Sequence, residues 1–150
     1  MTPAAHVRVE VDTGDGPGAV TVMLERAVRK TLDAEGYREA EMSIALLDDA
    51  AMQELNFRWL GKERATDVIA FSLGEDGEVV GDIYIGFEQA ARQASELGVP
   101  PEEELVRLAV HGTLHVLGHD HPEGEERMTS PMFLLQEGLV RELMGEATAR

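Results

Sequence analysis

The stretch Pro100-Pro101-Glu102-Glu103-Glu104-Leu105-Val106-Arg107-Leu108-Ala109-Val110-His111-Gly112-Thr113-Leu114-His115-Val116-Leu117-Gly118 decides how this chain folds. Its opening suits a helix N-terminus: proline has no amide hydrogen to leave unbonded, and carboxylates sit well against the positive end of the helix dipole. From Leu105 onward apolar residues occupy nearly every side, so the pattern predicts a helix to Leu117 that is buried. Gly118, without a Cβ, can adopt the left-handed conformation that ends a helix and turns the chain back.

Working outward, His6 to Asp12 alternates Val7, Val9 and Val11 with Arg8 and Glu10, the period of a half-buried strand. The turn cluster Thr13-Gly-Asp-Gly-Pro-Gly ends it. Val20 to Glu35 carries apolar residues at helical spacing, with Gly36 as its stop. Met42 to Leu47 reads as a strand, and Asp48 and Asp49 can cap a helix from Ala50 to Trp59, followed by the charged loop Gly61-Lys-Glu-Arg. Two further strands, Thr66 to Leu73 and Gly81 to Phe87, flank an acidic turn, and a short helix spans Glu88 to Leu97. Ser130-Pro131 looks like an N-cap with a first-turn proline, opening a last helix through about Met144. The order strand, helix, strand, helix, strand, strand, helix, helix, helix predicts one α/β (α+β) domain over 1–150. Its sheet should be mixed, about four-stranded and covered by helices, with a metal site at the end of the buried helix.

Composition narrows the chemistry. With 150 residues, 43% hydrophobic and 28% charged, the chain falls in the class of packed globular domains. It has no cysteine, so a soft-metal site must use His and carboxylates, and a cytoplasmic location is expected. Neither a basic start followed by an apolar run nor a span of ~20 apolar residues occurs, so neither secretion nor membrane association is expected. Thirteen Lys and Arg against 29 Asp and Glu give a net charge of −16, which repels polyanions at long range. Nucleic-acid binding then requires basic residues gathered locally, or a partner that delivers the substrate.

Four of the five histidines fall within 111–121. On a helix His111 and His115 lie one turn above the other and can present their rings to a common point. The turn at Gly118 lets His121 close the triangle. Three histidines without cysteine fit the open kind of metal site, which keeps a position for water. The spacing of His111, His115, Gly118 and His121 is that of the metzincin proteases, but the glutamate base of those enzymes is replaced here by Gly112. Capping of the helix C-terminus would account for one or two of these histidines only. His119 is expected outside the ligand set. Asp120 is expected either to orient a ligand ring or accept a proton from water, or to be a solvated turn residue.

The segment His111-Gly-Thr-Leu-His-Val-Leu-Gly-His-Asp-His121 resembles the signature H-G-x-L-H-L-x-G-Y-D-H of the YbeY family of rRNA-processing endoribonucleases. Leu55-Asn56, Thr66-Asp-Val-Ile-Ala-Phe71, Gly81-Asp-Ile-Tyr-Ile85 and Met132 to Glu137 match in order and approximate spacing, so the likeness runs from about Leu46 to Leu143. The resemblance implies that His111, His115 and His121 bind Zn2+, one ion per chain, with Ni2+ or Fe2+ suited to the same imidazoles. It implies hydrolysis of single-stranded RNA, not DNA, in small-subunit rRNA maturation and ribosome quality control. The small ribosomal subunit or its proteins would be the partner. Two positions depart from the family pattern: His119 stands for a tyrosine, and Leu60 stands for an arginine tied to activity.

Arg58, Lys62 and Arg64 form the densest basic run and are expected to contact RNA phosphates, with a solvated loop as the alternative; Arg58 or Arg64 would stand in for that arginine. Trp59 is expected as a core anchor, with stacking on a base as the alternative. Two other functions compete. One is a ribosome-associated assembly factor with a structural metal, whose acidic surface docks on basic ribosomal proteins. The other is a metzincin-like metalloprotease lacking its usual base.

Overall fold

The computed structural model describes residues 6–60, 66–120 and 128–148. Its elements are β1 (His6–Asp12), α1 (Thr21–Ala34) after a short 3-10 turn, β2 (Glu39–Leu47), α2 (Asp49–Leu60), β3 (Val68–Ser72), β4 (Val80–Gly86), α3 (Phe87–Leu97), α4 (Pro101–Val116) and α5 (Pro131–Thr148). The strands lie in the order β1-β2-β4-β3, with β1, β2 and β4 parallel and β3 antiparallel at the edge. This is the mixed four-stranded sheet the element order predicts. Among the described residues no helix is long and apolar enough to cross a membrane.

Side chains alternate across the sheet, and the register sorts them cleanly. One face gathers Met42, Ile44, Leu46, Ile83 and Ile85, which belong to the apolar core, and Val7, Val9 and Val11, which are partly buried against it. The other carries Arg8, Glu10, Glu41, Ser43 and Asp82, with the Ser43 hydroxyl donating to Asp82 at 2.7 Å. That polar face is why β2 begins at Glu39 and not at Met42: Glu39 and Glu41 are exposed and break the apolar run without breaking the strand. Asp48 caps α2 as expected, accepting from the Ala51 amide at 2.8 Å. Ser130 does the same for α5, which runs past Met144 to Thr148. Trp59 is not a core anchor. It is 64% exposed near the end of α2 and meets Phe71 edge-on, with centroids 6.0 Å apart.

Helix α4 lies at the centre of the packing, touching α1, α3, α5, β3 and β4. Leu105, Val106, Leu108, Ala109, Val110, Leu114 and Val116 are all buried. Two glycines let it settle onto β4. A Cβ at Gly81 of the strand would meet Val116 Cγ1 at 2.6 Å, and one at Gly112 of the helix would meet Ile83 Cγ2 at 2.8 Å. Each glycine thus receives a branched side chain from the opposing element, and the pairing of 81 with 116 and 83 with 112 runs the helix antiparallel to the strand.

In an open helix, alanine is favoured over glycine by about 1 kcal/mol. At position 112 the sign should reverse, because the stiff branch of Ile83 occupies the space and overpacking costs about 1–3 kcal/mol. Urea denaturation of Gly112→Ala is therefore expected to give a less stable protein. A more stable one would mean that the helix is not seated on β4 in this way.

Candidate metal centre

Helix α4 ends as its sequence requires. Gly118 adopts φ +95°, its amide donates to the His115 carbonyl at 3.0 Å, and the His119 amide donates to the Leu114 carbonyl at 3.0 Å. Position 112 faces the strand, so His111 and His115, one residue before Gly112 and Val116, share the neighbouring face of the helix. Their Nε2 atoms lie 3.0 Å apart, and the rings meet edge to face with centroids 4.5 Å apart. His111 is buried and His115 partly so.

This pair has the chemistry of a metal half-site. Ligand nitrogens about 2.0–2.1 Å from a tetrahedral zinc ion sit a little over 3 Å from each other, close to the 3.0 Å seen here. His111 Nδ1 lies 2.7 Å from Gln136 Oε1 on α5. Because a carbonyl oxygen only accepts, this contact puts a hydrogen on Nδ1, which in the neutral ring leaves the lone pair on Nε2. The expected third ligand, His121, lies outside the described residues, as do Arg64 and Lys62. Among the described residues alone, no group of three metal-ligating side chains assembles. His119 points elsewhere, as expected, and pairs through Nε2 with Glu35 at the end of α1. Asp120 is exposed beside the turn. Arg58 is 67% exposed and bonded to Glu54 at 3.1 Å.

His111 stands in the wall of a cleft of about 480 Å³ between α3, α4, α5 and the chain entering β3. Leu97, Leu108, Met132 and Phe133 make much of the cleft apolar, while Asp67, Arg107, Gln136 and Glu137 bring polar atoms to it; Arg58 is absent from its lining. Sequence reasoning did not single out Asp67, Arg107, Gln136 or Glu137 as functional. Arg107 left one clue, being the one charged residue in the apolar run from Leu105 to Gly118.

Arg107 knits α4 to α5. It bonds Glu137 through Nε and Nη2 at 2.9 and 3.1 Å, Glu104 at 2.8 Å and Glu103 at 3.1 Å. Burial works against the guanidinium's charge, but the hydrogen bonds to Glu137 and Glu104 outweigh it and hold its pKa above the usual range. Burial likewise pushes the Glu137 carboxyl up, yet the hydrogen bonds from Arg107 and Gln136 win and hold it below the usual carboxylate range.

Comparison with known proteins bears on this arrangement. The family model described as "Endoribonuclease YbeY" matches residues 14–144. A protein named endoribonuclease YbeY from Persephonella marina is 38% identical over 125 residues, 80% of this chain and 81% of its own. Its namesake from Desulfitobacterium hafniense is 41% identical over 141 residues, covering 83% and 89% of the two chains. A Thermotoga maritima protein solved in solution superposes with a TM-score of 0.69 at 28% identity, over 95% of this chain and 92% of that one.

The Arg107 cluster gives a prediction with a pH sign. Arg107→Met strands Glu104 and Glu137 in a largely buried site, and breaking a buried pair costs about 3–5 kcal/mol near neutral pH. Glu137, with its pKa lowered by folding, contributes stability above the unfolded carboxyl's pKa and loses it as pH falls through the lowered native value. Denaturation at neutral pH and in acid should therefore show the gap between wild type and variant narrowing in acid.

Proposed function

Since the chain belongs to the YbeY family of endoribonucleases, we propose that it is a metal-dependent hydrolase that cuts single-stranded RNA during maturation of the small-subunit rRNA, in the cytoplasm. The observation that carries the metal requirement is the His111–His115 pair, its Nε2 atoms 3.0 Å apart and His111 in the wall of the cleft. His121 is the third ligand in this reading, three residues beyond the turn at Gly118. Zn2+ is the expected ion, and imidazole ligands suit Ni2+ and Fe2+ as well.

A bound ion would supply Lewis acidity to a phosphoryl oxygen and acidify its water to a pKa of about 7. The chain's own residues do the rest. His111 and His115 bind the ion from a rigid helix, and Gln136 orients the first of them. Asp120, exposed and adjacent to His121, is placed in sequence to take a proton from the attacking oxygen or to orient a ligand ring. Arg58 and Arg64 are assigned to RNA phosphates in place of the arginine that Leu60 displaces. For Arg58 this means exchanging its exposed partner Glu54 for a phosphate, a small cost because exposed ion pairs are worth about 0–1 kcal/mol.

The protease alternative loses support from the packing. Position 112, where a metzincin carries its glutamate base, presses against Ile83 and has no room for a side chain. The assembly-factor alternative keeps the support of the −16 net charge, which suits docking on basic ribosomal proteins better than free RNA binding.

Metal content and cleavage of a single-stranded RNA, compared between wild type and a folded His115→Ala variant, separate these readings. About one ion per wild-type chain with metal-dependent cleavage, both lost in the variant, is the expected result. A bound ion without cleavage above the variant's background would sink the nuclease reading and favour the ribosome-associated factor.

A further inference from the structure

Whether His111 can ligate through Nε2 depends on which of its ring nitrogens carries the hydrogen, and that choice is made outside the ring. A glutamine amide has two nearly isosteric orientations, one presenting an acceptor and the other a donor. Here Gln136 presents Oε1 to His111 Nδ1 at 2.7 Å and turns its Nε2 to Glu137 Oε2 at 3.1 Å. The reversed amide would set Oε1 against the Glu137 carboxylate, two acceptors facing each other with no hydrogen between them, around a side chain only 5% exposed. Glu137 is not free to turn aside. Arg107 holds both of its oxygens, at 2.9 and 3.1 Å, and is itself held by Glu103 and Glu104.

We propose that Gln136, oriented by the Arg107–Glu137 ion pair, is a positioning residue that keeps the hydrogen of His111 on Nδ1 and its Nε2 lone pair directed at the metal. The purpose of this device rests on the metal reading above; its geometry rests on the hydrogen-bond chain alone. Ligating histidines are tuned in this way by what their second nitrogen bonds, and losing that partner weakens metal binding by about 10–100-fold. Here the partner is a neutral amide whose direction is set by an ion pair one further step away.

The first test needs no variant. Long-range imidazole nitrogen–hydrogen spectra of the 15N-labelled, metal-free chain should show His111 with its hydrogen on Nδ1, and a hydrogen on Nε2 would overturn the proposal. The second measures Zn2+ affinity by competition with a chromogenic chelator. Gln136→Met, which fills the space without an acceptor, should bind about 10–100-fold more weakly and show His111 in mixed tautomers. A folded Gln136→Met protein with wild-type affinity and an unchanged His111 signature would also overturn the role. If the wild-type chain bound no Zn2+ yet showed the Nδ1 signature, and Gln136→Met abolished it, the metal reading would fail while the orienting role stood.

Discussion

The close seating of α4 on β4 is the constraint from which the rest of the molecule follows. Val116 enters the space left by Gly81, and Ile83 enters the space left by Gly112, so the helix can neither slide nor rotate on the strand without a clash. Packed interiors behave this way because their density leaves little room for half-measures. Fixing the helix fixes the direction of His111 and His115, which lie on the next face round. It also fixes where the turn at Gly118 releases the chain toward His121. The site is therefore a product of core packing, and its two described histidines need no loop to bring them together.

Much of this was legible in the sequence, for identifiable reasons. Strand β1 was clear because Val7, Val9 and Val11 alternate against charged residues, and α4 was clear because proline, glutamates and glycine mark its ends. The pairing of His111 with His115 follows from helical spacing alone. Trp59 was misread because large aromatic side chains are buried on average, whereas α2 carries this one past the shelter of the sheet. The early start of β2 was missed because Glu39 and Glu41 belong to the strand's solvent side.

Harder to see were Arg107, Gln136 and Glu137. Polar residues within amphipathic helices ordinarily belong to the surface, and nothing local to α5 says that Gln136 and Glu137 face α4. Their role exists only once two helices about thirty residues apart are packed side by side. Sequence spacing can locate ligands that share one helix, but partners that orient those ligands from another helix emerge only with the tertiary fold. His119 shows the converse. Its place in a histidine cluster invites a metal role, and the fold gives it to Glu35 just past the end of α1 instead.

The late position of α4 along the chain has a consequence for synthesis. All four strands are complete at Gly86, but the helix that covers Ile83 and Ile85 ends only at Val116. At about 5–20 residues per second, the ribosome takes a few seconds to make the missing cover, during which the apolar face of the sheet stays open to other chains. The polar face, with Arg8, Glu10, Glu41 and Asp82, is soluble from the start. Exposure in the nascent chain is thus confined to one side, and the part over β4 closes when the segment bearing both histidines arrives. The histidine pair and the cover of this face are thus made together, and Met132, Leu139, Val140 and Leu143 of α5 complete the core after them.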